Sequence, residues 1–213
     1  MKIDNTASLI NLNALVCGAT SGIGESTAIE LSTLGANVTL LSRNKNKLIN
    51  TIQRLSSDKN QKHQYLCADF DDSMNLKNII NQHLLKSKYH ILINNSGGPK
   101  SGPIIQSTVE EFRQAFDRHL ICNHILFQAL YQGMKEFNYG RVINILSTSV
   151  KQPIEGLGVS NTIRGAVASW AKTLSFEAAI DGITINNILP GFTDTNRLKS
   201  IIQSKYEKEN IST

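Results

Sequence analysis

The fold of this protein is decided by residues 18–24, which read Gly-Ala-Thr-Ser-Gly-Ile-Gly. A short apolar run precedes this stretch and a helical pattern follows it, so it is the turn between a strand and a helix. Gly18 permits the tight turn, the bare backbone at Gly22 lets a pyrophosphate approach, and Gly24 lets the helix pack closely. The helix N-terminus also favours negative charge. We therefore favour phosphate binding, which also involves Thr20, Ser21 and Ile23, over a purely structural turn.

Strands and helices alternate along the rest of the chain. Apolar runs of about five residues, typical of parallel strands covered on both faces, occur at residues 14–17, 37–41, 65–68, 90–94, 141–146 and 184–189. Helical patterns occupy residues 23–34, 45–55, 74–85, 108–137 and 159–179, and Thr108 with Glu111 forms a capping box before the fourth. The alternation predicts an α/β fold with a doubly wound parallel sheet of about six strands. No linker or repeat interrupts it, so we predict a single dinucleotide-binding domain over residues 1–213.

The composition excludes several classes of protein. Hydrophobic residues make up 40% and charged residues 18%, as in an ordinary globular domain. No run is long enough to span a membrane, and the N-terminus lacks the order of a signal peptide. Three scattered cysteines offer neither a metal-site spacing nor a disulfide framework, which favours the cytoplasm. The net charge of +5 raises nucleic acid as a partner, but the lysines are dispersed. We favour a solvated basic surface and expect no nucleic-acid partner.

Arg43 follows the second predicted strand directly. Proteins that prefer NAD usually carry an acid at this place, which binds the ribose hydroxyls. An Arg can instead pair with a 2′-phosphate through two hydrogen bonds. The position favours NADP(H) over NAD(H), and the alternative is a solvated Arg in a basic loop.

Several motifs, in their order along the chain, resemble the short-chain dehydrogenase/reductase family. They are the glycine turn, Asp69 after the third strand, Asn94-Asn95-Ser96-Gly97 after the fourth, and Pro190-Gly191 with Thr195 after the sixth. The resemblance covers about residues 12–198 and implies a Rossmann-like fold with a bound nicotinamide dinucleotide. It also implies the position of each part of that cofactor. Asp69 would contact the adenine, Asn95, Ser96 and Gly97 would line the trough, and the nicotinamide would lie against Ile188, Pro190, Gly191 and Thr195.

The catalytic positions implied by the resemblance depart from the family pattern. The family uses Asn, Ser, Tyr and Lys, and these positions fall on His119, Ser147, Ser160 and Arg164. An alkyl hydroxyl such as that of Ser160 is a poor acid compared with a phenol, and Arg164 cannot release a proton, although it can pair with ribose hydroxyls or a substrate anion. His119 is either a substitute acid or a packed core residue. The pair Tyr131 and Lys135 has the family's spacing, but it lies at the end of the fourth helix, and we interpret it as a chance match.

Two functions remain open at this stage. The first is an NADP(H)-dependent oxidoreductase, similar to a 3-oxoacyl reductase, that acts on a small carbonyl or alcohol. The second is a catalytically impaired nucleotide-binding or regulatory protein on the same fold. His119 and His124 are five residues apart and do not share a helix face, so we expect no metal site.

The long fourth and fifth helices predict how copies of the chain assemble. Their apolar residues, with Phe127, Leu130 and Trp170 as examples, exceed what one sheet face covers, so we expect a homo-oligomer through these helices. Residues 198–209 have a helical pattern and are expected to cover the substrate. The family's final strand is missing from the pattern, which predicts an exposed sheet edge unless a partner covers it.

Overall fold

The computed structural model describes residues 8–195 together with residues 198, 199, 202, 203 and 206. Its six strands form one parallel sheet in the order β3-β2-β1-β4-β5-β6. The strands are β1 Asn13–Cys17, β2 Asn37–Ser42, β3 Gln64–Cys67, β4 Ile91–Asn94, β5 Gly140–Ile145 and β6 Ile183–Ile188. The predicted doubly wound α/β sheet is confirmed, and each strand end lies within one residue of its sequence-based bound.

The helices connect these strands and lie on both faces of the sheet. They are α1 Gly22–Thr33, α2 Lys45–Ile52, α3 Ser73–Leu84, α4 Val109–Phe116, α5 Cys122–Glu136 and α6 Gly158–Ala178. The prediction of one continuous helix over residues 108–137 is wrong in one respect. A π turn, Asp117–Ile121, separates α4 from α5. Helical periodicity extends through both helices, and a single wider turn inside such a run has no distinct apolar pattern.

The predicted capping box is present at the start of α4. The Thr108 hydroxyl accepts a hydrogen bond from the Glu111 amide at 3.2 Å, and the Glu111 carboxylate accepts one from the Thr108 amide at 3.0 Å. Two backbone donors that the helix itself cannot pair are satisfied in this way. Helix α4 therefore begins where its sequence predicts.

The core has two layers because both faces of the sheet are covered. Leu15, Leu92 and Val142 pack toward α3, α5 and α6, while Val16 and Ile93 point to the face covered by α1 and α2. This explains why the strands are apolar throughout and do not alternate with polar residues.

The apolar surface of α5 is used within the chain. Phe127 is 5% exposed and Leu130 is 1% exposed, and Trp170 on α6 is partly buried against the same core. The expectation that these three side chains are left for a second copy of the chain to cover is therefore wrong. One chain already covers them, because α5 packs on the sheet beside α3 and its side chains share one core with those of α3 and α6.

Strand β6 forms one edge of the sheet, and β3 forms the other. Within the described ranges β6 pairs with β5 alone, and Thr184, Asn186 and Ile188 on it are exposed. The helix expected over residues 198–209 lies mostly outside the described residues, although the five that are described from 198 onward are helical. Among the helices in the described part of the chain, none combines the length and hydropathy that crossing a membrane requires.

Candidate active site

A cleft of about 930 Å³ lies at the carboxyl ends of the strands. Ligands of open α/β sheets bind at this edge, because loops from several strands converge there. The structure brings sixteen of the residues named from the sequence to its walls: Gly18, Thr20, Ser21, Gly22, Ile23, Arg43, Asp69, Asn95, Ser96, Gly97, Ser147, Ser160, Arg164, Pro190, Gly191 and Thr195. Three residues that were predicted to serve the site, Gly24, His119 and Ile188, are not among the lining residues of this cleft.

The glycine turn is held by close backbone packing. Gly18 has a φ of +58°, which favours glycine. The side-chain Nδ2 of Asn95 donates to the carbonyls of Cys17 and Gly18, each at 3.3 Å. A Cβ on Gly24 would lie 2.3 Å from the Gly18 carbonyl oxygen. Gly24 therefore does not line the cleft, and its missing side chain lets α1 pack closely against the glycine turn. The role of Asn95 as the link between the β4 loop and this turn was not apparent from the sequence.

The first turn of α1 fits a bound phosphate. Ser21 precedes the helix with extended backbone and makes no side-chain cap, and Ser21, Gly22 and Ile23 all line the cleft. The first amides of a helix lack partners within the helix, and its dipole places partial positive charge there. An anionic diphosphate matches both features.

Two cations lie where β2 and β3 end. Arg43 has a side chain that is 70% exposed and stands 3.8 Å from the carboxylate of Asp69, a loose ion pair in solvent. Lys47, in the first turn of α2, lines the same part of the cleft. From the sequence, Lys47 was expected only to belong to a dispersed basic surface. Its position four residues after Arg43, at the start of the helix that follows β2, was the signal that could have found it.

Arg118 is a further cleft residue that sequence reasoning missed. It lies on the π turn and binds Asp71, which follows β3, through Nε at 2.7 Å and Nη2 at 2.6 Å. The two residues are 47 positions apart, and no local pattern in the sequence indicates that they pair.

Ser147 and Arg164 lie together at the carboxyl end of β5. The Ser147 hydroxyl accepts a hydrogen bond from the Ser149 amide at 3.1 Å and so begins a short 3₁₀ turn, Thr148–Val150. Arg164 on α6 is only 9% exposed, and its Nη1 donates to the Ile145 carbonyl at 2.9 Å. A fixed cation therefore lies beside the strand end that carries Ser147. Ser160, one turn before Arg164 on α6, is partly buried in the same wall.

His119 is placed behind the wall of the cleft. It is 1% exposed, and its Nδ1 lies 2.8 Å from the hydroxyl oxygen of Ser96, which does line the cleft. Of the two expectations for His119, a substitute acid or a packed core residue, the burial of the side chain fits the second directly. The π turn directs the imidazole inward, and any influence on a ligand passes through Ser96.

Tyr131 and Lys135 lie at the opposite end of the sheet. Both bind Asp181, which precedes β6, and the Lys135 ammonium lies 3.2 Å from its carboxylate. The hydrogen bond to Asp181 raises the pKa of Tyr131, because ionisation of the phenol would place two anions together. The interpretation of this pair as a chance match agrees with its position.

The end of the cleft beyond Ser147 is mainly apolar. Ile154, Leu157 and Phe192 line it, with Glu155 as an acidic neighbour. Gly98, in the loop after β4, lies in the same wall, as do Phe192 and Thr193 after Pro190. In the part of the chain that the structure describes, no three His, Cys, Asp or Glu side chains are grouped to hold a metal ion.

The parallel sheet, its order and the glycine turn at the cleft define a Rossmann-like α/β protein. Residues 12–205 match the profile of the short chain dehydrogenase family, and the chain belongs to that family.

Known proteins similar to this chain agree with this assignment. A 3-oxoacyl-[acyl-carrier-protein] reductase of Rickettsia bellii is 30% identical over 84% of this chain and 71% of its own length. A chloroplastic tropinone reductase homologue of Arabidopsis thaliana is 28% identical over 96% of this chain. The chain spans only 64% of that homologue's length.

Among solved structures, a single-residue variant of the actinorhodin polyketide ketoreductase with NADPH superposes with a TM-score of 0.86. It is 26% identical, and the match covers 95% of this chain and 78% of the ketoreductase. A 3-oxoacyl (acyl-carrier-protein) reductase from Agrobacterium tumefaciens with NADP bound superposes with a TM-score of 0.86 at 21% identity, which shows the shared fold alone. That match covers 98% of this chain and 81% of the reductase.

Proposed function

We propose that this protein is an NADP(H)-dependent oxidoreductase that reduces a small carbonyl compound or oxidises the matching alcohol, in the manner of a 3-oxoacyl reductase. One observation carries the proposal. A single cleft holds the glycine turn and the α1 N-terminus, which follow β1, together with Ser147, Ser160 and Arg164 near the end of β5. A dinucleotide that spans the strand ends would join these two groups of residues.

The preference for NADP(H) rests on the charges at the end of β2. Arg43 and Lys47 line the cleft there, and the residue after β2 is a cation where NAD-binding proteins usually carry an acid. A 2′-phosphate would attract both side chains, and the exposed Arg43 can reorient toward it from its loose pair with Asp69. The NADPH in the similar actinorhodin ketoreductase structure supports the same preference.

Each catalytic residue has a role that follows from its contacts. NADP(H), when bound, supplies or accepts the hydride. Ser147 would hold the substrate oxygen at the end of β5, and Arg164 would place positive charge beside it and bind ribose hydroxyls. Ser160 is a weak acid, so we propose that the Ser96 hydroxyl gives its proton to the substrate oxygen and takes one from His119 Nδ1 in its place.

A second candidate function is a nucleotide-binding protein with little catalytic power. The observation that favours it is Arg164, which is bound to the Ile145 carbonyl and cannot release a proton to a neighbour. The lining at Ser160 also lacks a phenol. In this case the nucleotide end of the cleft would be functional and the Ser147 end would not.

Binding and turnover experiments separate these functions. Titration should give a lower dissociation constant for NADPH than for NADH, and Arg43→Ala should weaken NADPH binding selectively, by about tenfold for a charged pair of ~1.4 kcal/mol. Equal affinities in the wild type would contradict the NADP(H) preference. Loss of NADPH absorbance with a panel of ketones and aldehydes, abolished by Ser147→Ala, would support the oxidoreductase. Tight NADPH binding without turnover on any substrate would favour the second candidate.

We also propose a single domain that assembles as a homo-oligomer through the α4–α5 segment and α6, in the cytoplasm. Phe176 near the end of α6 is 71% exposed and is an apolar side chain that such an interface would cover. The substrate remains a small molecule in this proposal.

A further inference from the structure

Arg118 has a position in the cleft that the roles proposed above do not use. It lies on the π turn between α4 and α5 and shares the cleft wall with Asp69 and Phe70, at the end of β3. Helical turns that contain an extra residue are frequent at functional sites, since they redirect side chains. Arg118 therefore lines the part of the cleft near the end of β3, where the adenosine half of a bound dinucleotide is expected to lie.

The guanidinium of Arg118 is held in one orientation. Its Nε and Nη2 donate to the Asp71 carboxylate at 2.7 and 2.6 Å, and the side chains are only 21% and 29% exposed. The Asp71 amide in turn donates to the Asp69 carboxylate at 3.1 Å. The turn after β3 thus fixes both Asp69 and the plane of Arg118.

This geometry suits a flat aromatic ring better than a phosphate. An Arg that is bound along its edge offers the face of its plane, and guanidinium faces stack on aromatic rings. The charge of Arg118 is also largely balanced by Asp71 at close range, whereas Arg43 stands 3.8 Å from Asp69 and is 70% exposed. Arg43 is the better partner for an anion and Arg118 for a base.

We propose that Arg118 stacks on the adenine of the bound dinucleotide and that Asp71 orients it for this contact. The proposal rests on the proposed function, because it requires a nicotinamide dinucleotide in the cleft. It assigns the two arginines to different parts of the ligand. Arg118 recognises the base, which NADPH and NADH share, and Arg43 recognises the 2′-phosphate, which only NADPH carries.

The test compares dissociation constants of NADPH and NADH, measured by nicotinamide fluorescence, for the wild type and variants. Arg118→Ala should weaken both ligands equally, by about tenfold for a stacking contact. Arg118→Lys keeps a positive charge beside Asp71, so the fold should be preserved. Lys lacks the planar guanidinium, so this variant should weaken the binding of both dinucleotides nearly as much as Arg118→Ala. Reduced nicotinamide mononucleotide, which has no adenosine, should bind all variants alike.

Arg113→Ala is the matched control, since Arg113 lies five residues before Arg118, is 75% exposed, and is outside the lining of the cleft. It should bind both dinucleotides like the wild type. Unchanged binding by Arg118→Ala, full affinity in Arg118→Lys, or a loss confined to NADPH would overturn the assignment while leaving the proposed function intact. A wild type that binds neither dinucleotide would instead remove the proposed function, and the inference with it.

Discussion

Replacing Ser160 with Tyr and Arg164 with Lys should raise NADPH-dependent carbonyl reduction. Both side chains line the cleft, and their spacing of four residues on α6 places them on one helix face. A phenol there would be a stronger acid than the Ser160 hydroxyl, and a neighbouring cation lowers its pKa further. The double variant therefore tests whether a weak acid is what limits this site.

The expected gain exceeds the expected structural cost. A positioned general acid contributes about 10²–10⁴-fold in rate, which corresponds to ~2.7–5.4 kcal/mol of the barrier. The change removes the 2.9 Å hydrogen bond from Arg164 to the Ile145 carbonyl. A bond to a charged group is worth about 1.5–3 kcal/mol, of which the Lys ammonium should recover a part. Stability should fall by about 2 kcal/mol or less, a loss of roughly 4–8 °C in Tm for a chain of this size.

The assay follows NADPH absorbance with the carbonyl panel, and melting curves accompany it. The matched control is Ser160→Phe with Arg164→Lys, which adds the same ring without its hydroxyl and should give no gain. Arg164→Lys alone should change the rate little, because Lys without Tyr has no phenol to tune. Ser147→Ala in the double variant should remove the gained activity.

Either of two results would refute the idea that a weak acid limits this site. If the double variant melts near the wild-type temperature, binds NADPH with wild-type affinity and still reduces no member of the panel, the acid is not the limiting group. The nucleotide-binding alternative would then be the better description. A rate gain in the Phe control as large as in the Tyr variant would equally show that the ring, and not its proton, acts on the reaction.

Three further predictions concern the fold and its assembly. Gly24→Ala should destabilise the protein by about 3 kcal/mol in urea unfolding and weaken NADPH binding, because the new Cβ would lie 2.3 Å from the Gly18 carbonyl oxygen. A Cβ on Gly165 of α6 would have no neighbouring atom within 4 Å, so Gly165→Ala should stabilise the helix by about 0.5–1 kcal/mol. Equal changes in stability for Gly24→Ala and Gly165→Ala would contradict both expectations. Burial lowers the pKa of His90, whose Nδ1 accepts a hydrogen bond from the Asn13 amide at 3.1 Å, so the unfolded chain binds the extra proton and stability should fall as the pH drops below about 6.5. His90→Gln cannot titrate and should show a shallower pH dependence of Tm. Light scattering at micromolar concentration should show a homo-oligomer, and a monomer would refute the proposed assembly.

The sequence alone was sufficient to predict the fold class, a doubly wound parallel sheet of about six strands. Short runs that are apolar on both faces, separated by amphipathic stretches, can be buried only in a parallel sheet with helices on both sides. The glycine turn at residues 18–24 was likewise readable, since strand, turn and helix follow one another directly in the chain. Local patterns determine local structure, and the order of the strands then brings Arg43, Ser147 and Pro190 to one edge.

Only the tertiary structure decided which of these residues face a ligand. His119 and Arg118 are neighbours in the sequence, yet the first is buried behind Ser96 and the second lines the cleft. Their directions depend on a single π turn, which leaves no distinct apolar pattern. The pairing of Arg118 with Asp71 and that of Arg164 with the Ile145 carbonyl join residues 47 and 19 positions apart. Such contacts arise from the packing of separate elements, and a pattern along the chain cannot contain them.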